Sequence, residues 1–419
     1  RKVNILDPKS VSIPKHRLFE ARIKANQTQI EEAMKLIVNA KKPIFYIGGG
    51  CINSGPKASK LVREFVKETK APATMTLMGL GTLPSSNEYS LGMLGMHGMY
   101  EANLAMHECD VMINIGARFD DRVTGRLDAF SPNSKKIHID INASNINKNI
   151  KVDVPIVGDI ENIMNQMLEV WKKNKFSTNK KDISDWWQKI DEWKKIDCLK
   201  FEQTGEIIKP QLAIKRLYEL TKEKNTIITT EVGQHQMWAA QYYKFEEPNK
   251  WLTSGGLGTM GYGFPAAIGA QVANPDALVI DIAGDASILM NIQEMSTAVQ
   301  HRLPVKIFIL NNEYMGMVRQ WQELLHGGRY SESYTDSLPD FVMLAESYKA
   351  KGLRATKVSE LDNVIEEMIK SDKTVIADIW VDKEENCFPM IQSGSAHNEM
   401  LLNKGQKQDK ESAEKGKTL

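Results

Sequence analysis

The chain has 419 residues, with 54 Lys and Arg against 53 Asp and Glu, which gives a formal net charge of +1. This length exceeds one typical core and predicts two or three domains, while the balanced charge gives no reason to expect nucleic acid. No apolar run is long enough to span a membrane, and the N-terminus lacks a signal-peptide core. The four cysteines are widely spaced without a CxxC pair, so we expect reduced thiols, no zinc site and a cytoplasmic location.

The first elements predict an α/β domain. Residues 1–26 are irregular, and because the chain does not begin with Met we expect an upstream part to be missing. Residues 27–40 carry apolar side chains at helical spacing. The strand PIFYI then ends in three glycines before a helix, an order typical of the opening of a nucleotide-binding domain. These glycines do not form the GxGxxG fingerprint, so a plain tight turn explains them as well as a phosphate contact does.

Apolar runs that end in small or polar residues recur up to residue 172. Four such strands alternating with helices predict a parallel sheet, whose ligands bind beyond the carboxyl ends of the strands. Gly116 could let the backbone approach a ligand, and Asp140 could accept hydrogen bonds from ribose hydroxyls. His97 fits a turn equally well. For the sequence RFDDR (118–122), spacing alone favours a surface ion-pair cluster.

The composition changes between two predicted domains. We assign residues 27–172 to the first domain, 173–206 to a linker with a Trp-rich helix, and 207–402 to the second domain. The end of the second domain, residues 385–402, lacks periodicity and should expose apolar side chains, as a lid would. Residues 403–419 are charged with almost no large apolar side chains, and we expect them to be disordered.

Two glycine-bearing turns open the second domain. A strand at NTIITT is followed by a turn at Gly233 and the start of a helix, where free backbone N–H groups favour an anion. Gln234 and His235 could donate to a phosphate there, although a solvated helix cap explains them equally well. Six glycines from 255 to 269 mark a loop whose backbone approaches something bulky. Met260 within this loop is either loop filling or a wedge beneath a cofactor ring.

The most informative stretch comes next, from Ala277 to Trp321. One apolar run ends in Gly284-Asp285, a helical stretch follows, and a second apolar run ends in Asn311-Asn312. Because two such runs joined by a helix predict parallel strands, Asp285 and Asn312 should lie at neighbouring strand ends. A carboxylate and an amide oxygen suit Mg²⁺, whose remaining positions go to water and phosphate. A turn residue would explain Gly-Asp alone better, but the pair at this spacing favours a cation site.

Long motifs in the right order then identify a family. The second predicted domain contains the motifs GQHQMWAAQ, SGGLGTMGYGFPAAIGA, GDAS with the later NN, MGMVRQWQ, and CFPM with SGSAHNEM. With these motifs the chain resembles the catalytic large subunit of acetohydroxyacid synthase (acetolactate synthase), a thiamine diphosphate enzyme. The first predicted domain resembles the central FAD-binding domain of that family, in the motifs FYIGGGCINS, TLMGLG, LGMHG and GARFDDRVTGRL. Ala286 departs from the family, which usually has Gly there. The family's N-terminal pyrimidine-binding domain, with its Glu, has no counterpart here, so we expect the 419-residue chain to be incomplete and inactive alone.

The resemblance implies a fold and a function. It implies two doubly wound parallel-sheet α/β domains: a central Rossmann-like FAD domain and a C-terminal domain that binds thiamine diphosphate and Mg²⁺. The implied reaction decarboxylates pyruvate and joins the hydroxyethyl unit to a second pyruvate or to 2-ketobutyrate, the first common step of valine, leucine and isoleucine biosynthesis. FAD is implied as a structural cofactor, because the reaction has no net redox step. A homodimer or homotetramer with active sites at the subunit interface, and a small regulatory subunit, are implied too.

Two other functions stay open at this point. One is another thiamine diphosphate carboligase or decarboxylase, similar to glyoxylate carboligase. The other is a non-catalytic nucleotide-binding module that dimerises. RFDDRVTG together with MGMVRQW favours acetolactate chemistry over both.

The resemblance also implies roles for single residues. Mg²⁺ would bind the side chains of Asp285 and Asn312 and the carbonyl of Tyr314. Arg122 would hold the acceptor carboxylate, Trp321 would line the acceptor pocket, and Met260 would support the bent cofactor. The implied thiamine diphosphate contacts are Gln234, His235, Gly258, Met260, Gly284, Asp285, Ala286, Ser287, Asn312 and Met317. The implied FAD contacts are Gly49, Thr76, Leu77, Leu94, Gly95, Met96, His97, Gly116, Ala117, Arg118, Phe119, Asp120, Asp140, Ile141, Asp159 and Ile160.

Overall fold

Two six-stranded parallel sheets with flanking helices organise residues 25–406, the part of the chain that the computed structural model describes. This architecture confirms the predicted fold class, two doubly wound α/β units. The predicted irregular N-terminus and disordered tail lie almost entirely outside the described residues. Within the described residues, no helix is both long and apolar enough to cross a membrane.

The first sheet has the strand order β3-β2-β1-β4-β5-β6. Its strands are β1 (Pro43–Ile47), β2 (Ala73–Met75), β3 (Ser90–Met93), β4 (Val111–Ile115), β5 (Lys135–Asp140) and β6 (Val154–Val157). The accompanying helices are α1 (Gln27–Asn39), α2 (Gly50–Asn53), α3 (Pro56–Thr69), α4 (Tyr100–Glu108), α5 (Asp121–Thr124), α6 (Ile160–Lys173) and α7 (Lys180–Lys194). Because the strand order reverses between β1 and β4, the crevice for a ligand lies at their carboxyl ends.

The second sheet has the order β11-β12-β10-β9-β7-β8. Its strands are β7 (Thr226–Thr230), β8 (Trp251–Thr253), β9 (Leu278–Gly284), β10 (Lys306–Asn311), β11 (Lys351–Ala355) and β12 (Val375–Trp380). Its helices are α8 (Pro210–Thr221), α9 (Gln234–Tyr242), α10 (Gly263–Ala273), α11 (Asp285–Ile288), α12 (Met295–Gln300), α13 (Gly316–Leu325), α14 (Phe341–Ser347) and α15 (Val358–Lys370). The order reverses between β7 and β9.

Both sheets are buried on both faces. Alternate side chains of β1 enter different apolar clusters, Phe45 and Ile47 on one face and Ile44 and Tyr46 on the other. Strand β10 alternates in the same way between two clusters. A strand covered on both faces reads as a continuous apolar run, which explains why the central strands were predictable from the sequence.

The prediction of four strands in the first sheet was wrong, because β3 and β6 were missed. In the second sheet β8 and β11 were missed as well. All four are edge strands of their sheets, and each has three to five residues. Gly92 in β3 and Pro155 in β6 weaken the strand signal further, since edge strands tolerate residues that central strands exclude.

The helical connection between β9 and β10 is also less regular than predicted. It consists of α11, a 3-10 helix (Leu289–Glu294) and α12, with non-helical backbone at Asn291. The Asn291 side chain donates to the carbonyl oxygen of Gly261 at 2.5 Å. The connection is therefore tied to the glycine loop that follows β8.

The segment 385–402, here called the C-terminal strap, joins the two sheets. It carries a short hairpin of β13 (Met390–Ile391) and β14 (Met400–Leu401), and the Ile391 N–H donates to Met96 O at 2.8 Å. Gln241 of α9 also donates to His97 O at 2.9 Å. The expectation that the strap exposes its apolar side chains was wrong: Cys387, Met390, Ile391, Ala396 and Leu401 are all buried.

Candidate cofactor-binding site

A cleft opens at the carboxyl edge of the second sheet, where the strand order reverses. It contains about 480 Å³ of empty space, part of it open to solvent. The chain segments that follow β7, β9 and β10 line it, together with one residue of the glycine loop. The lining residues are Val232, Gly233, Gln234, His235, Trp238, Met260, Gly284, Asp285, Ala286, Ser287, Leu310, Asn312, Tyr314, Met315, Gly316, Met317 and Val318.

The cleft brings together every implied thiamine diphosphate contact except one. Gly258 lies outside the lining, exposed in the glycine loop with a φ of 67°. Ala286 lies in the helical turn of α11 and does not adopt a positive φ. Its extra methyl group therefore causes no backbone strain. A residue other than Gly is tolerated wherever φ is negative, so Ala can stand here in place of the family's usual Gly.

Asp285 is the most unusual side chain of the cleft. It is 1% exposed, its Oδ1 accepts from the Ala286 N–H at 2.7 Å, and its Oδ2 is buried with no hydrogen-bond partner. Burial raises the pKa of the Asp285 carboxyl to about 7, although nearby backbone N–H groups oppose the shift. A buried carboxylate oxygen without a partner is costly, and a bound cation would remove that cost.

Asn312 lies beside Asp285 because β9 and β10 pair in register, with Gly284 opposite Leu310. Its Oδ1 accepts from the Tyr314 N–H at 3.3 Å, and its Nδ2 donates to Gln234 Oε1 at 3.4 Å. Glu313 has a φ of 55°, a left-handed conformation that turns the chain directly after Asn312. Tyr314 consequently returns to the cleft.

The Asp285 carboxylate, the Asn312 amide oxygen and the Tyr314 carbonyl are groups that would suit a magnesium ion shared with a phosphate group. Among residues 25–406, no group of three or more His, Cys, Asp or Glu side chains is placed to hold a metal. One carboxylate, one amide oxygen and one carbonyl leave several positions free. Mg²⁺ fills such positions with water and substrate phosphates, and does not usually occupy an all-protein cage.

His235 stands at the start of α9. Burial lowers the pKa of His235 to about 3, so its imidazole is neutral, and its Nε2 is buried without a partner. A Cβ at Gly284 would lie 2.7 Å from His235 Nδ1, so only glycine lets the ring pack here. The unpartnered Nε2 is available to a ligand in the cleft.

Gln234 is oriented differently from what its implied role requires. Its Nε2 donates to Gln320 Oε1 at 2.8 Å and to Glu385 O at 3.0 Å, so both amide hydrogens have protein acceptors. Its Oε1 faces Asn312. The side chain therefore offers no free donor to a phosphate, and it contacts the site through Asn312.

Sequence reasoning missed two buried polar residues that shape the cleft. Gln320 on α13 bonds to Gln234, as described above. The carboxylate of Glu231 accepts hydrogen bonds from the N–H groups of Gly261 and Phe264, at 2.5 and 3.0 Å. These two bonds fix the position of the glycine loop. The sequence did contain a signal for Gln320. It lies four residues after Gly316, and this spacing places both residues on the same face of a helix. None was present for Glu231, because its partners are backbone groups distant in sequence.

Arg122 and Trp321 also lie close together, although Arg122 is on α5 beside the first sheet and Trp321 is on α13 beside the second. The Arg122 guanidinium lies 5.7 Å from the centroid of the Trp321 ring. Its side chain is 64% exposed, and the nearest acid, Asp121, is 3.9 Å away. Arg118 does form the expected surface ion pair, at 2.6 Å from Asp120. Arg122 therefore keeps most of its donors free for an anion, beside an aromatic face.

The sixteen residues implied to bind FAD gather at the carboxyl edge of the first sheet, because they follow its six strands. A Cβ at Gly48 would lie 2.2 Å from Gly116 O, so the turns after β1 and β4 pack backbone against backbone. Asp140 accepts from the Asn142 N–H at 2.7 Å and from Asn145 Nδ2 at 3.1 Å. These turns lie at the point where the strand order reverses, which is where sheets of this type bind ligands.

Some members of that set face away from the edge. Phe119 is 1% exposed and packs against Tyr46 and His138 in the core. The His97 ring is buried, and its Nδ1 lies 3.1 Å from Pro389 O of the strap. The alternative that His97 serves a turn stays open.

Known proteins match both halves of the chain. The central domain of thiamine pyrophosphate enzymes matches residues 30–167, and their C-terminal TPP binding domain matches residues 231–379. The acetolactate synthase large subunit of Haemophilus influenzae is 45% identical over 393 residues, which cover 94% of this chain and 68% of that protein. The acetolactate synthase isozyme 3 large subunit of Escherichia coli is 44% identical over 400 residues, 95% of this chain and 69% of that protein. The chain therefore belongs to the acetolactate synthase large-subunit family of thiamine pyrophosphate enzymes.

Proposed function

We propose that this chain is the catalytic subunit of an acetolactate synthase, which joins two pyruvate molecules or one pyruvate and one 2-ketobutyrate. The bond between the carboxylate and keto carbons of the first pyruvate breaks, and carbon dioxide leaves. The former keto carbon then bonds to the keto carbon of the acceptor, whose oxygen takes up a proton. Family membership supports this reaction, and the unpartnered Oδ2 of Asp285 is the observation that carries the assignment of the site.

The cleft of the second sheet holds the cofactor in this proposal. Thiamine diphosphate, when bound, supplies an electron sink for the pair that carbon dioxide leaves behind. Asp285, Asn312 and the Tyr314 carbonyl would bind the Mg²⁺ that neutralises the diphosphate. Neutral His235 offers its unpartnered ring nitrogen Nε2 to a hydrogen bond with the ligand, and Met260 offers a flexible apolar contact from the glycine loop.

Arg122 and Trp321 would select the acceptor. The guanidinium offers paired N–H donors to a carboxylate, and the ring beneath it limits the space for the alkyl group. Their contact across the two sheets supports a shared role. Met317 and Val318 line a depression next to Trp321, which extends the same surface.

The carboxyl edge of the first sheet would bind FAD in a structural role. Its support is the reversal of strand order between β1 and β4, together with the close approach of Gly48 to Gly116. We further propose a homodimer or homotetramer with a small regulatory subunit. The relatives' designation as large subunits supports such a partner.

Calorimetric titration with thiamine diphosphate tests the site. Binding is expected with Mg²⁺ and is expected to disappear with a chelator, and equal affinity under both conditions would contradict the cation site. Product analysis with pyruvate and with glyoxylate tests the reaction in the active enzyme. Acetolactate formed from pyruvate supports the proposal, whereas turnover of glyoxylate alone would favour a glyoxylate carboligase.

A further inference from the structure

Three side-chain amides form a buried line that leads inward from the cleft. Asn312, Gln234 and Gln320 are 6%, 2% and 0% exposed. Asn312 Nδ2 donates to Gln234 Oε1 at 3.4 Å, and Gln234 Nε2 donates to Gln320 Oε1 at 2.8 Å. The line ends at the backbone of Cys387 in the C-terminal strap, whose N–H donates to Gln320 Oε1 at 2.7 Å.

The backbone at the inner end determines the direction of Gln320 and Gln234, while the Tyr314 N–H, which donates to Asn312 Oδ1 at 3.3 Å, helps to orient Asn312 at the outer end. A backbone N–H can only donate, so the group of Gln320 that meets Cys387 N must be its oxygen. The group of Gln234 that meets the same oxygen must then be Nε2, and this nitrogen also donates to a second fixed acceptor, Glu385 O, at 3.0 Å. Gln234 Oε1 is consequently directed at Asn312, where it meets Nδ2.

We propose that Gln320 is a positioning residue which, through Gln234, keeps the oxygen of Asn312 available to the cation at Asp285. An Asn side chain turned by 180° would present its NH₂ group, which cannot bind a cation. The fixed acceptor for Nδ2 opposes that rotation, in addition to the Tyr314 N–H that donates to Oδ1. This inference rests on the proposed function, because it concerns the same Mg²⁺ site.

Gln320 also has structural contacts, which any test must separate from positioning. Its Nε2 lies 3.4 Å from Cys387 O and 3.3 Å from Met390 Sδ, so it helps to hold the strap. Residues that orient a metal ligand from behind typically change metal affinity by about 10- to 100-fold when they are replaced. A loss of strap packing alone would instead lower stability without a specific effect on Asn312.

The first experiment compares Gln320→Met with Gln322→Met. Gln322 is on the same helix, but its Nε2 donates to Ser331 O at 2.8 Å and its Oε1 accepts from Ser333 Oγ at 2.7 Å, so it has no bond to the three buried amides. Calorimetry measures the affinity of each variant for thiamine diphosphate in the presence of Mg²⁺. The affinity of Gln320→Met is expected to fall by about tenfold or more, and that of Gln322→Met is expected to change little. Equal affinities of Gln320→Met and the unmodified chain would overturn the proposal.

The second experiment repeats Gln320→Met in the Asn312→Asp background. A carboxylate has two equivalent oxygens, so there is no orientation left for Gln320 to maintain. The loss caused by Gln320→Met is expected to shrink from about tenfold to less than about threefold in this background. An equal loss in both backgrounds would mean that Gln320 only supports the strap, and would also overturn the proposal.

One further variant keeps the result unambiguous. Asp285→Ala reports on the cation site itself. If Asp285→Ala abolishes binding while Gln320→Met has no effect, the site stands and the positioning role is wrong. If neither variant weakens binding, the proposed site is wrong.

Discussion

The carboxyl edges of the two sheets are alike in topology but differ in their acidic residues. At the edge of the second sheet, Asp285 has a buried oxygen with no partner. At the edge of the first sheet, both oxygens of Asp140 accept hydrogen bonds, from Asn142 N–H and Asn145 Nδ2. Asp159 is satisfied in the same way by Ser54 Oγ at 2.9 Å and the Asn162 N–H at 3.3 Å.

This difference supports the proposed cation site at the second edge alone. One oxygen of the Asp285 carboxylate has no hydrogen-bond partner, so nearby backbone N–H groups compensate its negative charge only in part. The first edge has no such uncompensated acid among Asp140 and Asp159, and its main feature is glycine backbone packed against glycine backbone. Similar folds thus differ in kind at these edges: one has a buried acid with an unpartnered oxygen, which suits the proposed metal-dependent phosphate site, and the other has turns packed backbone against backbone.

The largest expected effect is the loss of the cation site in Asp285→Ala. Without the carboxylate, Mg²⁺-dependent affinity for thiamine diphosphate is expected to fall by at least about 100-fold, because the site's only acidic ligand is gone. Calorimetry measures this change, and flavin fluorescence should show unchanged FAD binding at the other edge. Asp276→Ala, at an exposed position before β9, is the control. An unaltered affinity of Asp285→Ala for thiamine diphosphate would contradict the proposed cation site at the second edge.

A stability measurement tests the uncompensated charge directly. The pKa of Asp285 is raised from 3.8 to about 7. The stability contributed by this group is therefore fully present below the unfolded value and is lost as the pH rises through about 7. With a chelator present, Asp285→Asn is expected to be more stable than the unmodified chain at pH 8, by up to about 4 kcal/mol. Chemical denaturation should show no such gain near pH 4, and equal stability at pH 8 would contradict the argument.

Gly48→Ala is expected to damage the first edge alone. The added Cβ would lie 2.2 Å from Gly116 O, which must move. Overpacking of this kind costs about 1–3 kcal/mol, so FAD affinity is expected to fall about tenfold or more. Binding of thiamine diphosphate should persist and would show that the second sheet is intact. Gly269→Ala, where a Cβ meets nothing within 4 Å, is the control. Unchanged FAD affinity would place the flavin elsewhere.

The smallest effect concerns the contact between the two units. Trp321→Leu removes the ring beneath Arg122, and the preference of the active enzyme for 2-ketobutyrate over pyruvate is expected to fall by about fourfold, since burying one methylene is worth about 0.8 kcal/mol. Competition between the two acceptors, followed by analysis of both products, measures the ratio. Trp380→Leu, an exposed tryptophan on β12 that stacks near Arg354, is the control. The same product ratio in both variants would refute the role of Trp321.

The central strands and the cation pair were predictable because their signals are local. Buried parallel strands read as apolar runs, and Asp285 and Asn312 directly follow two of them. The edge strands β3, β6, β8 and β11 were not predictable. Each pairs on one side only and is short, so its residues are under weaker selection for a strand pattern.

The sequence by itself determined the family, the two parallel sheets and the residues at their strand ends, because these depend on apolar periodicity and on short motifs. Only the tertiary structure decided which way those residues face. It buried the C-terminal strap against the first sheet, satisfied Asp140, left Asp285 Oδ2 without a partner and turned the donors of Gln234 toward Gln320. The physical reason is that each of these outcomes depends on a hydrogen-bond partner far away in the chain, and neither composition nor spacing encodes that partner.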